Sequence, residues 1–530
     1  MSFVSFAFVW FILIALILYY AAPKKYRYLV LLVLSYAFYI ITCGKYVLYI
    51  IFTTISVYFA GIKMQQITDI QKAYLKENKE ALSREEKKEY KAKMKGKLRL
   101  ILIVALFCNF GILVFLKYAN FLISNFNLLK LTLFGSTNFV KLLDLVLPLG
   151  ISFYTFQSMG YLIDLYYGKY ECEKNPFKMA LFTSFFPQII QGPISRFDEL
   201  KATLFSGADY DFENLLYGFY RIMWGLFKKL IIADRVSAYV SNSIDQYATL
   251  NGTYLLLAIF LYSFEIYADF SGGIDITIGV ARFFGVRLTE NFERPFFSKS
   301  VAEYWRRWHI TLGTWFKDYI FYPLSIAKWT QKLGKFVKTH VNEAVGKRVP
   351  IYVSMFIVWA TTGLWHGSEW RYIVWGLLNF VILTISTELE PYYPKMNAFF
   401  HIKEGSTIHK CIQIFRTFWI MSFLRVFDIS SSVKQGIMVI INTFRHPSML
   451  DLAKIEELGL ERMEFYVAII GILVVFLFSL IQRKGSYEQR LKAAPSYVRY
   501  ITLTLLCVLV IIYGSYGIGY DAKSFIYLQF

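Results

Sequence analysis

Phe465-Tyr466-Val467-Ala468-Ile469-Ile470-Gly471-Ile472-Leu473-Val474-Val475-Phe476-Leu477-Phe478-Ser479-Leu480-Ile481 runs for seventeen residues without a charge. Glu461 and Glu464 precede it, and Arg483 and Lys484 follow it. As a helix it reaches about 25 Å, close to the hydrocarbon thickness of a bilayer. Comparable runs occupy 3–20, 28–42, 46–62, 100–116 and 501–513. Apolar residues blocked in this way read as transmembrane helices and not as the core of a soluble domain. The chain is therefore expected to be an all-α integral membrane protein. Ten to twelve membrane-embedded segments are expected, within a single domain covering 1–530.

Composition agrees with that reading. Of 530 residues, 56% are hydrophobic and 19% aromatic, which suits a surface facing lipid and its interfaces. The net charge of +20 does not point to nucleic acid, because the Lys and Arg residues gather between apolar runs, as cytoplasmic loops require. Lys24, Lys25 and Arg27 mark the first such loop. Segment 63–99 holds twelve Lys or Arg against six acids and reads as one or two charged cytoplasmic helices. The loops 330–350 and 482–499 are also basic, whereas 451–464 is acidic. Threading between these anchors directs the turn at His366, and the C-terminus at Phe530, to the extracytoplasmic side. The five cysteines are scattered and lack metal-ligand spacing, so no metal site is indicated. No basic region precedes run 3–20, so a retained helix is expected there, not a cleaved signal.

Some apolar segments are too short to cross. Residues 177–190 contain Pro187 and end on Gln191-Gly192-Pro193. Such a re-entrant or half-length helix is tolerated only where protein or a water-filled cavity covers it. Residues 254–270 run into Ser271-Gly272-Gly273, where a second break is expected. No internal repeat is evident, which gives an inverted-repeat transporter no support.

Two histidines combine an apolar setting with tryptophan neighbours. His366 lies in Gly363-Leu364-Trp365-His366-Gly367, between apolar runs 351–365 and 372–385 that are short for two full crossings. An ionisable residue at membrane depth is a functional candidate; a surface-loop histidine beside tryptophans fits the same local pattern. His309 follows Glu303-Tyr304-Trp305-Arg306-Arg307-Trp308. Read as one helix to Tyr319, this segment puts Trp305, Trp308 and His309 on its apolar face and Glu303, Arg306, Arg307 and Asp318 largely on the other. A core histidine bonded to a carbonyl is the alternative. Glu265, Asp269, Asp275 and Asp164 are acids at membrane depth and need partners; Arg282 and Arg287 are the nearest bases downstream. A buried neutral imidazole is suited to general-base work, activating a hydroxyl for attack on a thioester.

The ordered motifs narrow the chemistry. Tyr267-Ala268-Asp269-Phe270-Ser271-Gly272, Asn291-Phe292, Glu303 to His309 and Trp315-Phe316-Lys317-Asp318-Tyr319 resemble the membrane-bound O-acyltransferase (MBOAT) family, most closely its bacterial alginate O-acetylation branch. Pro148-Leu149-Gly150-Ile151-Ser152-Phe153, Gln191-Gly192-Pro193-Ile194, the His366 motif and Phe525-Ile526-Tyr527 match as well. The resemblance implies a helical bundle with a central funnel or tunnel. It implies transfer of an acyl group from a cytoplasmic thioester, acetyl-CoA, with no bound cofactor or metal. His366 would be the catalytic residue and His309 the second signature residue. Trp305, Arg306, Arg307, Asp318, Trp365, Asp269, Gln191 and Pro193 would line the tunnel or position substrate. Relatives pair with an extracytoplasmic SGNH-type protein and modify a polysaccharide, which implies a bacterial inner-membrane location. The chain departs from the pattern at Gly273, at Ser325-Ile326 and at Asn379, where relatives often carry a tyrosine, a glycine pair and a third histidine. D-alanyl transfer from a carrier protein to teichoic acid uses the same machinery and is the nearest alternative. A transporter or flippase, or a scaffold for a secretion complex, stands further off.

Overall fold

The computed structural model describes residues 3–484, 487–516 and Phe525. Ile526, Tyr527 and Phe530 lie outside the described residues. Among the described residues there is no β-strand; one isolated bridge joins Phe292 and Trp308. Six stretches are long and apolar enough to cross a membrane: Lys24–Glu77, Arg84–Phe134, Gly252–Phe283, Trp370–Phe399, Arg462–Ile481 and Ser496–Tyr513. The chain is a multi-pass membrane protein. Many of the remaining helices are short or interrupted, so the ten to twelve embedded segments expected are not all full crossings.

Two compact units are formed, one by Met1–Gly218 with Val280–Thr289, the other by Phe219–Gly279 with Glu290–Phe530. In the first unit, the Val47–Glu77 helix overshoots its apolar run and ends at Asn78. The Arg84–Phe134 helix then begins on a capping box, Ser83 Oγ accepting from Glu86 N and the Glu86 carboxylate accepting from Ser83 N. The capping box satisfies two orphan N–H groups at the start of the second helix, and segment 63–99 is divided between the ends of the two long helices. The half-length expectation also holds. Pro176–Ser184 and Phe186–Gln191 are separate helices bent at Phe185. Gly150, at φ +69°, starts the Ile151–Tyr167 helix against them; a Cβ there would sit 2.2 Å from Ile189 O.

The second unit holds the Gly252–Phe283 helix as far as Gly279, and 83% of that helix's most apolar window is buried. The break expected at Ser271-Gly272-Gly273 is absent; the helix runs straight through. Its glycine serves close packing instead. A Cβ on Gly272 would lie 2.8 Å from Gly225 O, and one on Gly225 would lie 2.5 Å from Gly272 O. Asp269 and Asp275 of this helix pair with bases of an earlier segment, not with the expected Arg282 and Arg287. Lys229 Nζ meets Asp269 Oδ1 at 2.6 Å and Asp234 Oδ1 at 2.9 Å. Arg221 and Lys228 both bind Asp275, and Lys228 also donates to Ser271 Oγ at 2.7 Å. Both lysines sit in a π-helical turn, Phe227–Ala233, inside an otherwise α-helical run. Arg282 lies over the Tyr217 ring.

Breaking a buried pair leaves an uncompensated charge and costs roughly 3–5 kcal/mol, against about 0–1 kcal/mol for an exposed pair. Lys229→Met strands two carboxylates and is expected to lower the melting temperature in detergent sharply. Lys454→Met removes an exposed pair with Glu457 and should leave it nearly unchanged. Equal melting temperatures for the two variants contradict this account.

Candidate active site

The segment expected as one amphipathic helix is two. Val301–Arg307 starts on Ser300, whose Oγ accepts from Glu303 N at 3.1 Å. Trp308 is extended, His309 adopts left-handed φ 47° and ψ 53°, and Ile310–Phe316 begins beyond it. A left-handed non-glycine residue costs roughly 1–2 kcal/mol, so something must hold it. The backbone turns away from the helix to bond with residues 291–293. Glu293 N donates to Arg307 O at 2.9 Å and Ile310 N donates to Asn291 O at 3.0 Å. These two bonds flank the Phe292–Trp308 bridge and pin His309 on both sides.

The Asn291 side chain sets the chemistry of the ring. Its amide is fully buried, and one atom lies 3.0 Å from Thr311 N, 2.9 Å from Thr311 Oγ1 and 3.2 Å from His309 Nδ1. A backbone N–H can only donate, so that atom is the carbonyl oxygen. His309 Nδ1 must then carry the hydrogen, and in the neutral ring Nε2 holds the lone pair. The Phe270 and Trp365 rings pack on the imidazole at 4.9 and 5.6 Å. His309 is buried and lies outside the six candidate spans; burial lowers its pKa and keeps the ring neutral.

His366 is the last residue of the Glu343–His366 helix, not part of a free turn. The next helix, Trp370–Leu389, crosses it closely because both carry glycine at the contact. A Cβ on Gly376 would come 2.4 Å from Trp359 O, and one on Gly363 would come 2.5 Å from Tyr372 O. The crossing sets the Trp375 ring 4.5 Å from the imidazole, edge to face. Trp365 packs against both histidines, 5.0 Å from His366 and 5.6 Å from His309.

Both histidines line one cavity of about 410 Å³, together with Trp305, Trp359, Arg306 and Lys317 among others. The last two are exposed cations. Trp305 is fixed by a hydrogen bond from Nε1 to Asn379 Oδ1 at 3.0 Å, while Asn379 Nδ2 donates to Trp375 O at 2.9 Å. The position where relatives often have a third histidine thus carries a fully buried amide that positions the cavity wall.

The other sequence candidates fall elsewhere. Arg307 pairs with Glu303 at 2.7 Å and Asp318 lies in a second π-helical turn, Lys317–Phe321; neither lines the cavity. Asp269 is held by Lys229. Gln191 and Pro193 belong to the first unit, where Gln188 Nε2 donates to Pro193 O at 3.0 Å and Ser195 Oγ at 2.7 Å. Sequence reasoning missed Arg425 and Asp428. Arg425 is buried, lies 4.0 Å over the Trp308 ring, donates to the Tyr304 hydroxyl and pairs with Asp428 at 3.2 Å. Their i, i+3 spacing within an apolar helix was the available signal.

Comparison with known proteins matches this geometry to a family. Residues 173–340 match the membrane-bound O-acyltransferase family, MBOAT. The chain is 32% identical over 372 residues to a probable alginate O-acetylase AlgI of Pseudomonas aeruginosa, covering 70% of this chain and 63% of that one. It is 32% identical over 379 residues to the probable alginate O-acetylase AlgI of Pseudomonas putida, covering 72% and 69%. A peptidoglycan O-acetyltransferase of Helicobacter pylori is 33% identical over 313 residues, covering 54% and 55%. The chain thus spans a little under two thirds of the length of the Pseudomonas aeruginosa relative. With the ordered motifs, the helical architecture and these likenesses together, the chain belongs to the membrane-bound O-acyltransferase family.

Proposed function

We propose that this protein is an O-acyltransferase of the bacterial cytoplasmic membrane that passes acetyl groups from acetyl-CoA toward a polysaccharide, through an extracytoplasmic SGNH-type partner. The observation that carries the reading is the shared cavity: His309 and His366 line it together, with Trp365 against both rings. The names of three relatives point the same way: two are named probable alginate O-acetylase and one peptidoglycan O-acetyltransferase.

In this reading His366 is the general base. It takes the proton from an acceptor hydroxyl as the oxygen attacks the thioester carbonyl. The C–S bond then breaks, and the leaving thiolate takes that proton from the imidazolium. His309 orients the reacting groups through Nε2, because Nδ1–H is committed to Asn291. Arg306 and Lys317 supply positive charge beside the cavity for the phosphates of the donor. The tryptophan walls exclude water that would hydrolyse the thioester.

A general base contributes about 10²–10⁴-fold in rate. His366→Ala is therefore expected to lose at least about a hundredfold of acetyl transfer from labelled acetyl-CoA, at unchanged expression and melting temperature. Full activity in that variant removes His366 from the mechanism, and labelling by D-alanine in place of acetate moves the reading to D-alanylation. A second test addresses Asn291. Asn291→Leu removes the acceptor that fixes the His309 tautomer, and kcat should fall with little change in donor KM. Asn291→Asp restores an acceptor oxygen and should recover part of the loss. Equal kcat for the two variants means that the amide only fills space.

A further inference from the structure

A second cavity, of about 450 Å³, lies apart from the histidines. Its walls come from the Gly252–Phe283, Thr407–Ile429 and Arg462–Ile481 helices and the short Pro295–Phe297 turn. Phe264, Phe418, Phe296 and Phe476 are among the lining side chains, and Arg294 is the only charged one among the described residues. Along the Arg462–Ile481 helix the lining runs from Ile472 to Ser479, a slot about 10 Å long at helical rise. Phe415, Leu473 and Phe476 are largely exposed, so the slot opens onto the apolar outer surface of a candidate span.

One end of the slot is basic. Arg294 is half-buried and forms no ion pair among the described residues. Arg483, exposed and one helical turn beyond Ser479, lies within electrostatic reach of it, as do Arg307, Glu293 and Glu303. Arg307 is neutralised by Glu303 at 2.7 Å. Burial, then the positive fields of Arg307 and Arg483, press the Arg294 pKa below the usual arginine value. Two guanidinium groups at the end of a lipid-facing apolar slot fit an anion joined to a hydrocarbon chain. Arg294 is also held in the left-handed region, φ 48° and ψ 57°, next to the Glu293 N to Arg307 O bond that pins His309.

We infer that this slot is a specific site for an anionic glycerophospholipid, one acyl chain lying between the phenylalanines and the phosphate bound by Arg294 and Arg483. Zwitterionic lipids carry the same chains but add a cation where the guanidinium groups stand. The site does not depend on the acyl-transfer reading.

The full-length protein, stripped of lipid in detergent, is titrated with phosphatidylglycerol or with phosphatidylcholine of the same acyl chains. Binding is read by native mass spectrometry and by melting temperature, with glycerol phosphate as the headgroup-only arm. The expected result is one retained phosphatidylglycerol with a raised melting temperature, and neither effect from the other two. Arg483→Gln alters an exposed residue and should weaken retention at least tenfold. Leu473→Trp fills the slot, leaves both guanidinium groups intact and should also weaken it. Arg445→Gln, an exposed arginine outside the slot, should bind as the parent does. Equal retention of the two lipids, binding of glycerol phosphate alone, or unchanged retention in both Arg483→Gln and Leu473→Trp overturns the proposal.

Discussion

Inside a bilayer no water stands ready to replace a missing hydrogen bond or to solvate a stray charge. Several charged groups buried in this protein are therefore supplied with partners by the chain itself. The Lys229 contacts with Asp269 and Asp234 are the clearest case, with the lysine and Asp269 almost completely buried. The π-helical turn at Phe227–Ala233 belongs to the same constraint. Within it consecutive lysines divide between two acids: Lys228 reaches Asp275 and Lys229 reaches Asp269.

The same demand for partners shapes the site. His309 stands where a helix would otherwise continue, and the cost of its backbone is met by bonds to residues 291–293. Asn291 serves two tasks at once. Its oxygen caps Thr311 and fixes which imidazole nitrogen bears the hydrogen. Asn379 plays a comparable part on the facing wall, where it ties Trp305 to Trp375. Side-chain amides, with a donor and an acceptor on one planar group, suit such joints between buried elements.

Much of this was legible before any coordinates. The apolar runs announced the membrane helices, the charge run over 63–99 pointed to charged helices there, and both histidines stood out by setting. What the sequence concealed was long-range pairing. A helical period through Glu303 to Tyr319 reads as one helix because the pattern carries no sign of the bridge to Phe292. Ser271-Gly272-Gly273 resembles a breaker because composition cannot distinguish a glycine used for flexibility from one used for a close crossing at Gly225. The acids were noted, but proximity in sequence favoured Arg282 and Arg287 over Lys228 and Lys229, which lie 47 and 40 residues upstream of Asp275 and Asp269.

The packing around the two histidines has an optical consequence. Of the eleven tryptophans in the chain, Trp305, Trp308 and Trp359 line the cavity, and Trp365 and Trp375 touch the imidazoles. Near-ultraviolet emission from this protein is thus weighted toward one small volume. Entry of a molecule there changes the polarity around several indoles together, so the chain carries its own fluorescent gauge of occupancy, and no label has to be attached.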